Sequence, residues 1–476
     1  MRTRPKTYCS HCRRSQEQLD AQKARIETLE AIVLELQKQL AAARKDSSTS
    51  SKPPSSDIVK PPKPPLPEGQ DRRSIGGQPG HPKHEREPFP PESVNGGFFD
   101  HRIDLCPRCA HELQTPLLSV PRVIQQVDIQ EPPLTIQEHR VHSGWCPCCQ
   151  KFYEASLPIG IKRGGLVGPK LTTVIAYLKG VCHASFSTIR KFIRDVVRLT
   201  ISRGQLCAII AKVSKALEQP YEGLLGSLPD QERLNIDETG HKQNRLHMWT
   251  WCFRAELYTL FKIDPTRSSN VLIEVLGTEF NGVLGCDYFS AYRCYLRKFD
   301  VSIQFCLAHL IRDVKFLTTL PDARDRAYGE RLRESLRRLF GVIHRRGDLS
   351  AELFQRQLEL ARYEVLRCGL HDVPTSNHCR NMARRFEKHG ASYFRFITTP
   401  GVEPTNNLAE QAIRFVVIDR RITQGTRSEW GNRWCERIWT VIATCTQQGR
   451  SVFEYLEAAV GALFAGTDPP TLLPEA

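Results

Sequence analysis

The chain has 476 residues, a formal net charge of +15 and 40% hydrophobic residues. That is ample for several domains with packed cores, and no apolar run is long enough to span a bilayer. A basic surplus of this size calls for an anionic partner, and nucleic acid fits better than a membrane surface because no basic amphipathic anchor accompanies it.

The opening stretch, Met1 to Cys12, is polar and lacks the apolar core of a signal peptide, which predicts a cytosolic protein. Of the 17 cysteines, most stand singly in apolar runs, as reduced thiols do. Cys9 and Cys12 form one CxxC pair, too few ligands for a tetrahedral metal by themselves. Within residues 1–45, Leu19, Ile26, Val33 and Leu40 recur at heptad spacing, with Leu29 and Leu36 at intervening d positions, so a dimerising coiled coil is expected. Residues 46–90 are rich in Pro, Ser, Lys and Gly and read as a flexible basic linker.

Residues 91–160 hold Cys106-Pro107-Arg108-Cys109 and Cys146-Pro147-Cys148-Cys149. Cys106, Cys109, Cys146 and Cys149 supply the four thiolates that structural zinc prefers, with Cys148 a substitute for Cys149. The intervening Val120 to Val141 reads as strands, making a zinc ribbon. Residues 161–230 are expected to be helical. There, Leu171 to Gly180 followed by Thr188 to Leu199 has the pattern of a helix-turn-helix, with Arg190, Lys191, Arg194 and Arg198 near one face for DNA, although a bracing helical bundle explains the pattern equally well.

From Leu234 to Tyr292 the pattern is β-β-β-α-β, with Asp237 ending the first strand and Asp287 following the fourth. Carboxylates at neighbouring strand ends converge on the crevice of an open α/β sheet, and two of them attract a hard cation such as magnesium or manganese. A helix at Ser290 to Phe299, a strand at Val301 to Phe305 and a helix opened by Cys306-Leu307-Ala308-His309 follow. Cys306 and His309 have metal-ligand spacing but no second pair, so they are expected to pack and orient the floor of the site. Ala323 to Glu387 is helical and arginine-rich, an insertion occupying 323–397. The α/β core of 231–322 then resumes at 398–450, and 451–476 forms a tail. In the resumed part, Pro404 stops one segment, and Thr405, Asn406 or Asn407 caps a helix carrying Glu410 and Arg414.

With its coiled coil, the Ser51–Asp57 run, Gly76-Gly77-Gln78-Pro79-Gly80-His81, the CPxC pairs, Ile236-Asp237-Glu238-Thr239, Cys286 to Tyr292, Cys306 to His309, and Asn406 to Arg414, the chain resembles the bacterial insertion-sequence transposases of the family numbered sixty-six, within the DDE class. The resemblance implies a ribonuclease-H-like core with a helical insertion, and Asp237, Asp287 and Glu410 as the acidic triad. Such a triad holds two divalent ions, Mg2+ or Mn2+, for phosphoryl transfer. Asn407 and Arg414 are candidates for orienting the glutamate helix and gripping a phosphate. The implied partners are transposon-end and target DNA, a second copy of the chain and small accessory proteins of the same element, with no membrane. A nuclease that cuts without joining, and a DNA-binding regulator with a retired catalytic domain, are the competing functions.

Overall fold

The computed structural model describes residues 10–43, 89–94, 108, 133–148 and 150–473. Two compact units divide the chain, Met1–Pro61 with Arg140–Ala476, and Pro62–His139. In the second, the described regular structure is one 3-10 turn at Pro91–Ser93.

In the larger unit, α1 spans Ser10–Ala43. Its heptad residues Leu19, Ile26, Leu29, Val33, Leu36 and Leu40 are each about half exposed. Next, β1 (Ser143–Cys146) and β2 (Lys151–Glu154) pair antiparallel. The strands expected over Val120 to Val141 fall largely outside the described residues, and the described part, 133–141, contains none. Pro133 lacks the amide donor that a sheet ladder needs, and pairing begins only at Ser143.

Five helices follow: α2 (Ile159–Gly164), α3 (Pro169–Gly180), α4 (Phe186–Asp195), α5 (Arg203–Ala216) and α6 (Glu218–Gly226). The helical region is therefore segmented, and α4 stops at Asp195 instead of reaching Leu199. Arg198 takes φ 63°, a left-handed conformation no α-helix continues through, and His183 does the same at φ 54° between α3 and α4. Ile175, Ile189, Ile193, Leu206 and Val213 close the small core beneath.

The central sheet has the order β5-β4-β3-β6-β7. Its first three strands, β3 (Arg233–Gln243), β4 (Leu246–Arg254) and β5 (Thr259–Asp264), form an antiparallel meander. After α7 (Ser269–Leu276), β6 (Val283–Cys286) runs parallel to β3; after α8 (Ser290–Lys298), β7 (Ser302–Phe305) runs parallel to β6. Next comes α9, Leu307–Leu317. The arginine-rich stretch forms α10 (Ala323–His344), α11 (Ala351–Leu370) and α12 (Asn377–His389), and α13 (Arg395–Thr398) leads back to the sheet. The chain then forms α14 (Asn407–Thr423), α15 (Glu429–Gln447) and α16 (Val452–Ala465).

The outer edge of β5 is closed by side chains. Its outward amides at Thr259, Phe261 and Ile263 donate to Thr444 Oγ1 (3.2 Å), Thr440 Oγ1 (3.1 Å) and Glu436 Oε1 (2.6 Å). Acceptors four residues apart on α15 rise about 6 Å per step, close to the roughly 6.6 Å between alternate strand residues, so helix and strand stay matched over three rungs. Covering the edge this way satisfies the amides that would otherwise template a further strand. On the opposite side of α15, Gly180 lets α3 approach, since a Cβ there would lie 2.4 Å from Ile438 Cγ1. The C-terminal residues expected as a tail hold α16, whose Tyr455, Leu456 and Val460 are buried and whose Phe453 meets Tyr177 edge-on at 5.6 Å. No described helix is long and apolar enough to cross a membrane.

Candidate functional site

The parallel pairing of β3 with β6 sets Asn235 opposite Gly285. Two residues on, the same register carries Asp237 and Asp287 out of the paired region side by side. Asp237 does not end its strand, as the sequence suggested: β3 continues to Gln243, because its other neighbour β4 pairs with it over that whole length. What ends beside Asp237 is the parallel neighbour, and that opens the crevice.

Alternation along β3 separates the two adjacent carboxylates of Asp237 and Glu238. Asn235, Asp237 and Thr239 share the face on which α14 lies. Asn235 Nδ2 donates to Asn406 Oδ1 (2.9 Å), and Arg420 Nη1 donates to Thr239 Oγ1 (3.2 Å), so the helix tracks the strand from one end of α14 toward the other. Between those anchors stand Asp237 and Glu410. Glu238 points the other way and is consumed there. Arg267 grips it through Nε (2.7 Å) and Nη2 (2.5 Å), and the Tyr292 hydroxyl donates to its second oxygen. Arg267 itself lies over the Phe289 ring at 3.7 Å and the Trp249 ring at 4.8 Å.

Asp287 turns the chain into the loop before α8, its Oδ1 accepting the Phe289 amide at 2.8 Å. Glu410 stands in the first turn of α14. The helix starts after Asn406 as the sequence suggested, but the Asn406 side chain does not cap it. It is spent on the sheet, with Nδ2 donating to the Ile236 carbonyl at 2.8 Å, while its backbone amide donates to Cys306 Sγ at 3.2 Å. Asn407 and Arg414 are exposed on the outer side of α14, and the Arg414 charge favours ionised Glu410.

The electrostatics are those of a crowded acidic crevice. Burial pushes the Asp237 carboxyl well above the ordinary carboxylate range, and the charges of Glu238, Asp287 and Glu410 push it further. Burial likewise raises Asp287; Arg267 and Arg385 oppose that rise, and Asp313 adds to it. Glu410 is raised by burial and by Asp287, against Arg312 and Arg414. Like charges brought this close leave a surplus that a proton or a cation must compensate.

Helix α9 forms the floor. Cys306 Sγ, a His309 ring nitrogen and a Glu410 oxygen lie within 4.8 Å of one another. His309 Nδ1 is 3.5 Å from Glu410 Oε1, and Arg312 Nη2 is 3.6 Å from the same oxygen. Burial, with Arg312 and Arg385 nearby, lowers the His309 pKa to about 3, so the ring is neutral. From the insertion, α12 sends in Arg385, which pairs with Asp313 at 2.7 Å and lies over the Tyr288 ring at 3.8 Å.

Sequence reasoning missed Glu238, Arg267, Tyr292, Arg312, Arg385 and the role of Asn406 toward the sheet. Arg267 and Arg385 gave no signal because they reach the crevice from segments far apart in the chain. Asn406 was visible only as a helix cap.

Away from the crevice, Arg190, Lys191 and Arg194 are exposed on α4 opposite buried Ile189 and Ile193. Arg194 Nε is 2.6 Å from Asp195. Of the zinc-ligand candidates, Cys106, Cys109 and Cys149 lie outside the described residues; Cys146 ends β1, half-buried, and Cys148 is exposed in the turn.

Residues 164–433, more than half of the chain, match the family described as Transposase IS66 family. Residues 9–87 match a family of unknown function, DUF6444. No curated protein matches the chain.

Proposed function

The chain belongs to the IS66 family of transposases, and from that premise we propose that it binds the terminal inverted repeats of an insertion sequence and carries out metal-dependent DNA cleavage and strand transfer. The observation that carries this reading is the convergence of Asp237 on β3, Asp287 just past the end of β6 and Glu410 in the first turn of α14, three carboxyls whose pKa values burial pushes up, Asp237 most. The donor set is all oxygen, which suits Mg2+ or Mn2+ and not a soft metal. Asp237, Asp287 and Glu410 are the residues that would hold the ions. Bound there, the ions supply a lowered pKa for the attacking water or 3′-hydroxyl and charge stabilisation for the leaving oxygen. Two of the arginines around the crevice are engaged elsewhere, Arg267 by Glu238 and Arg385 by Asp313, while Arg312 lies 3.6 Å from Glu410.

In this reading the sheet with α14 forms a ribonuclease-H-like core over 231–322 and 398–450, and 323–397 is its helical insertion. Residues 161–230 contact DNA through Arg190, Lys191 and Arg194. The four cysteines Cys106, Cys109, Cys146 and Cys149 hold structural zinc within 91–160. Heptads of α1 pair two copies, the half-exposed apolar stripe being the supporting observation. Small accessory proteins of the element assist at the DNA ends.

The test is a cleavage and joining assay on the DNA flanking the gene, with magnesium or manganese, comparing the wild type with Asp287→Asn. Joined products from the wild type alone support the proposal. DNA that is bound but never cut by the wild type, in either metal, would favour a regulator.

A further inference from the structure

We propose that His309 is a positioning residue for Glu410, locked by Arg312 in the imidazole tautomer that carries its proton on Nδ1. The inference rests on the reading of Glu410 as an ion-holding carboxylate and extends it to the device that aims that carboxylate.

The argument is one of donor counting. Arg312 Nη2 lies 3.0 Å from His309 Nε2. A guanidinium donates only, so Nε2 must accept, and in a neutral ring the proton then sits on Nδ1. Nδ1 faces Glu410 Oε1 at 3.5 Å, and among the described residues neither atom has a hydrogen-bond partner. A buried donor and a buried acceptor, neither with a hydrogen-bond partner, are thereby aimed at each other, with Arg312 Nη2 3.6 Å from the same oxygen. Three-residue spacing puts Cys306 and His309 on one side of the start of α9. There they divide the labour: Cys306 Sγ accepts the Asn406 amide and the Leu307 amide donates to the Pro404 carbonyl at 2.9 Å, fixing where α14 begins, while His309 sets the Glu410 rotamer one turn in.

The Cys306–His309 spacing also suits a soft metal, with Glu410 as third ligand. Arg312 excludes that arrangement. A metal on Nδ1 would put the ring proton on Nε2, against a guanidinium that can only donate, and would set a second cation beside the first. The cluster is a hydrogen bond from Arg312 to His309 Nε2 that leaves Nδ1–H aimed at Glu410, 3.5 Å away.

The experiment is calorimetric titration of the full-length protein with manganese chloride in the absence of DNA. His309→Ala is expected to weaken manganese binding by about 10-fold or more, the usual cost of losing an orienting partner of a metal ligand. His309→Asn, whose amide N–H stands near the place of Nδ1–H, recovers most of that loss, and Arg312→Met weakens binding in the same direction. In cleavage assays the manganese concentration for half-maximal rate rises for His309→Ala while the KM for DNA is unchanged. Wild-type manganese affinity in His309→Ala overturns the proposal, as does an equal loss in the Ala and Asn variants. Zinc in the purified protein whose stoichiometry falls by one in Cys306→Ser overturns it in favour of a metal site. Asp237→Asn separates the two levels: if it binds manganese like the wild type, the reading of the carboxylates fails, whereas if it loses binding and His309→Ala does not, only the positioning role fails.

Discussion

Asn406 joins the two halves of the site. Its side chain donates to the carbonyl of Ile236, the residue immediately before Asp237, at 2.8 Å, and it immediately precedes the helix that bears Glu410. One buried amide thus sets the spacing between a strand and a helix that are 170 residues apart in the chain. Removing it in Asn406→Ala strands the Ile236 carbonyl and the Asn235 amide in a buried place, which costs about 1 to 3 kcal/mol. Urea denaturation monitored by tryptophan fluorescence is expected to show that loss as a lower midpoint with an unchanged slope.

If the crevice holds catalytic ions as proposed, neutralising one of its acids is expected to have opposite effects on activity and stability. Asp237→Asn and Asp287→Asn are each expected to abolish strand cleavage in magnesium while retaining DNA binding. Without divalent metal, both variants are expected to melt above the wild type, because burial penalises the charged carboxylates and the Asp287 charge adds to the cost at Asp237 and Glu410. Adding magnesium narrows the gap by stabilising the wild type alone. Melting curves with and without EDTA measure both effects, and a variant that melts lower than the wild type without metal would contradict the repulsion.

Glu436 makes stability depend on pH. Fully buried against the edge of β5, its carboxyl is pushed up to about 7 by burial, with Arg433, the Ile263 amide, Lys262 and Arg437 opposing. An acid whose folded pKa lies above its unfolded one favours the native state when protonated. Its contribution is complete below about pH 4.5 and is lost as pH rises through about 7, an effect of about 3 kcal/mol at most. Glu436→Gln keeps an acceptor for Ile263 and removes the charge. The wild type is therefore expected to lose stability relative to this variant between those pH values, measured by urea denaturation at each pH.

The proposed DNA contact of α4 is tested through its charge. Replacing Arg190, Lys191 and Arg194 together by alanine is expected to shallow the slope of log affinity against log salt by about 2 to 3, each phosphate contact contributing about 0.9. Arg194 contributes least, being paired with Asp195. Filter binding across a salt series measures the slope; an unchanged slope would assign the face to the solvated exterior of a bracing bundle.

The sequence by itself determined the local order. The short apolar runs around Asp237 and Asp287, the helix start at Asn406 and the arginine-rich helices were legible because hydrophobic period, turn residues and caps act over a few residues. The mixed α/β class followed from their succession. Only the tertiary structure decided which groups face each other. Strand alternation along β3 turned Asp237 toward α14 and Glu238 toward Arg267, a choice that depends on which face each helix covers. The pairing of Glu436, Thr440 and Thr444 with β5, and of Arg312 with His309 and Glu410, likewise arises from packing between elements. Period and propensity carry no information about such partners, since the energy that selects them comes from burying polar groups only where each finds its complement.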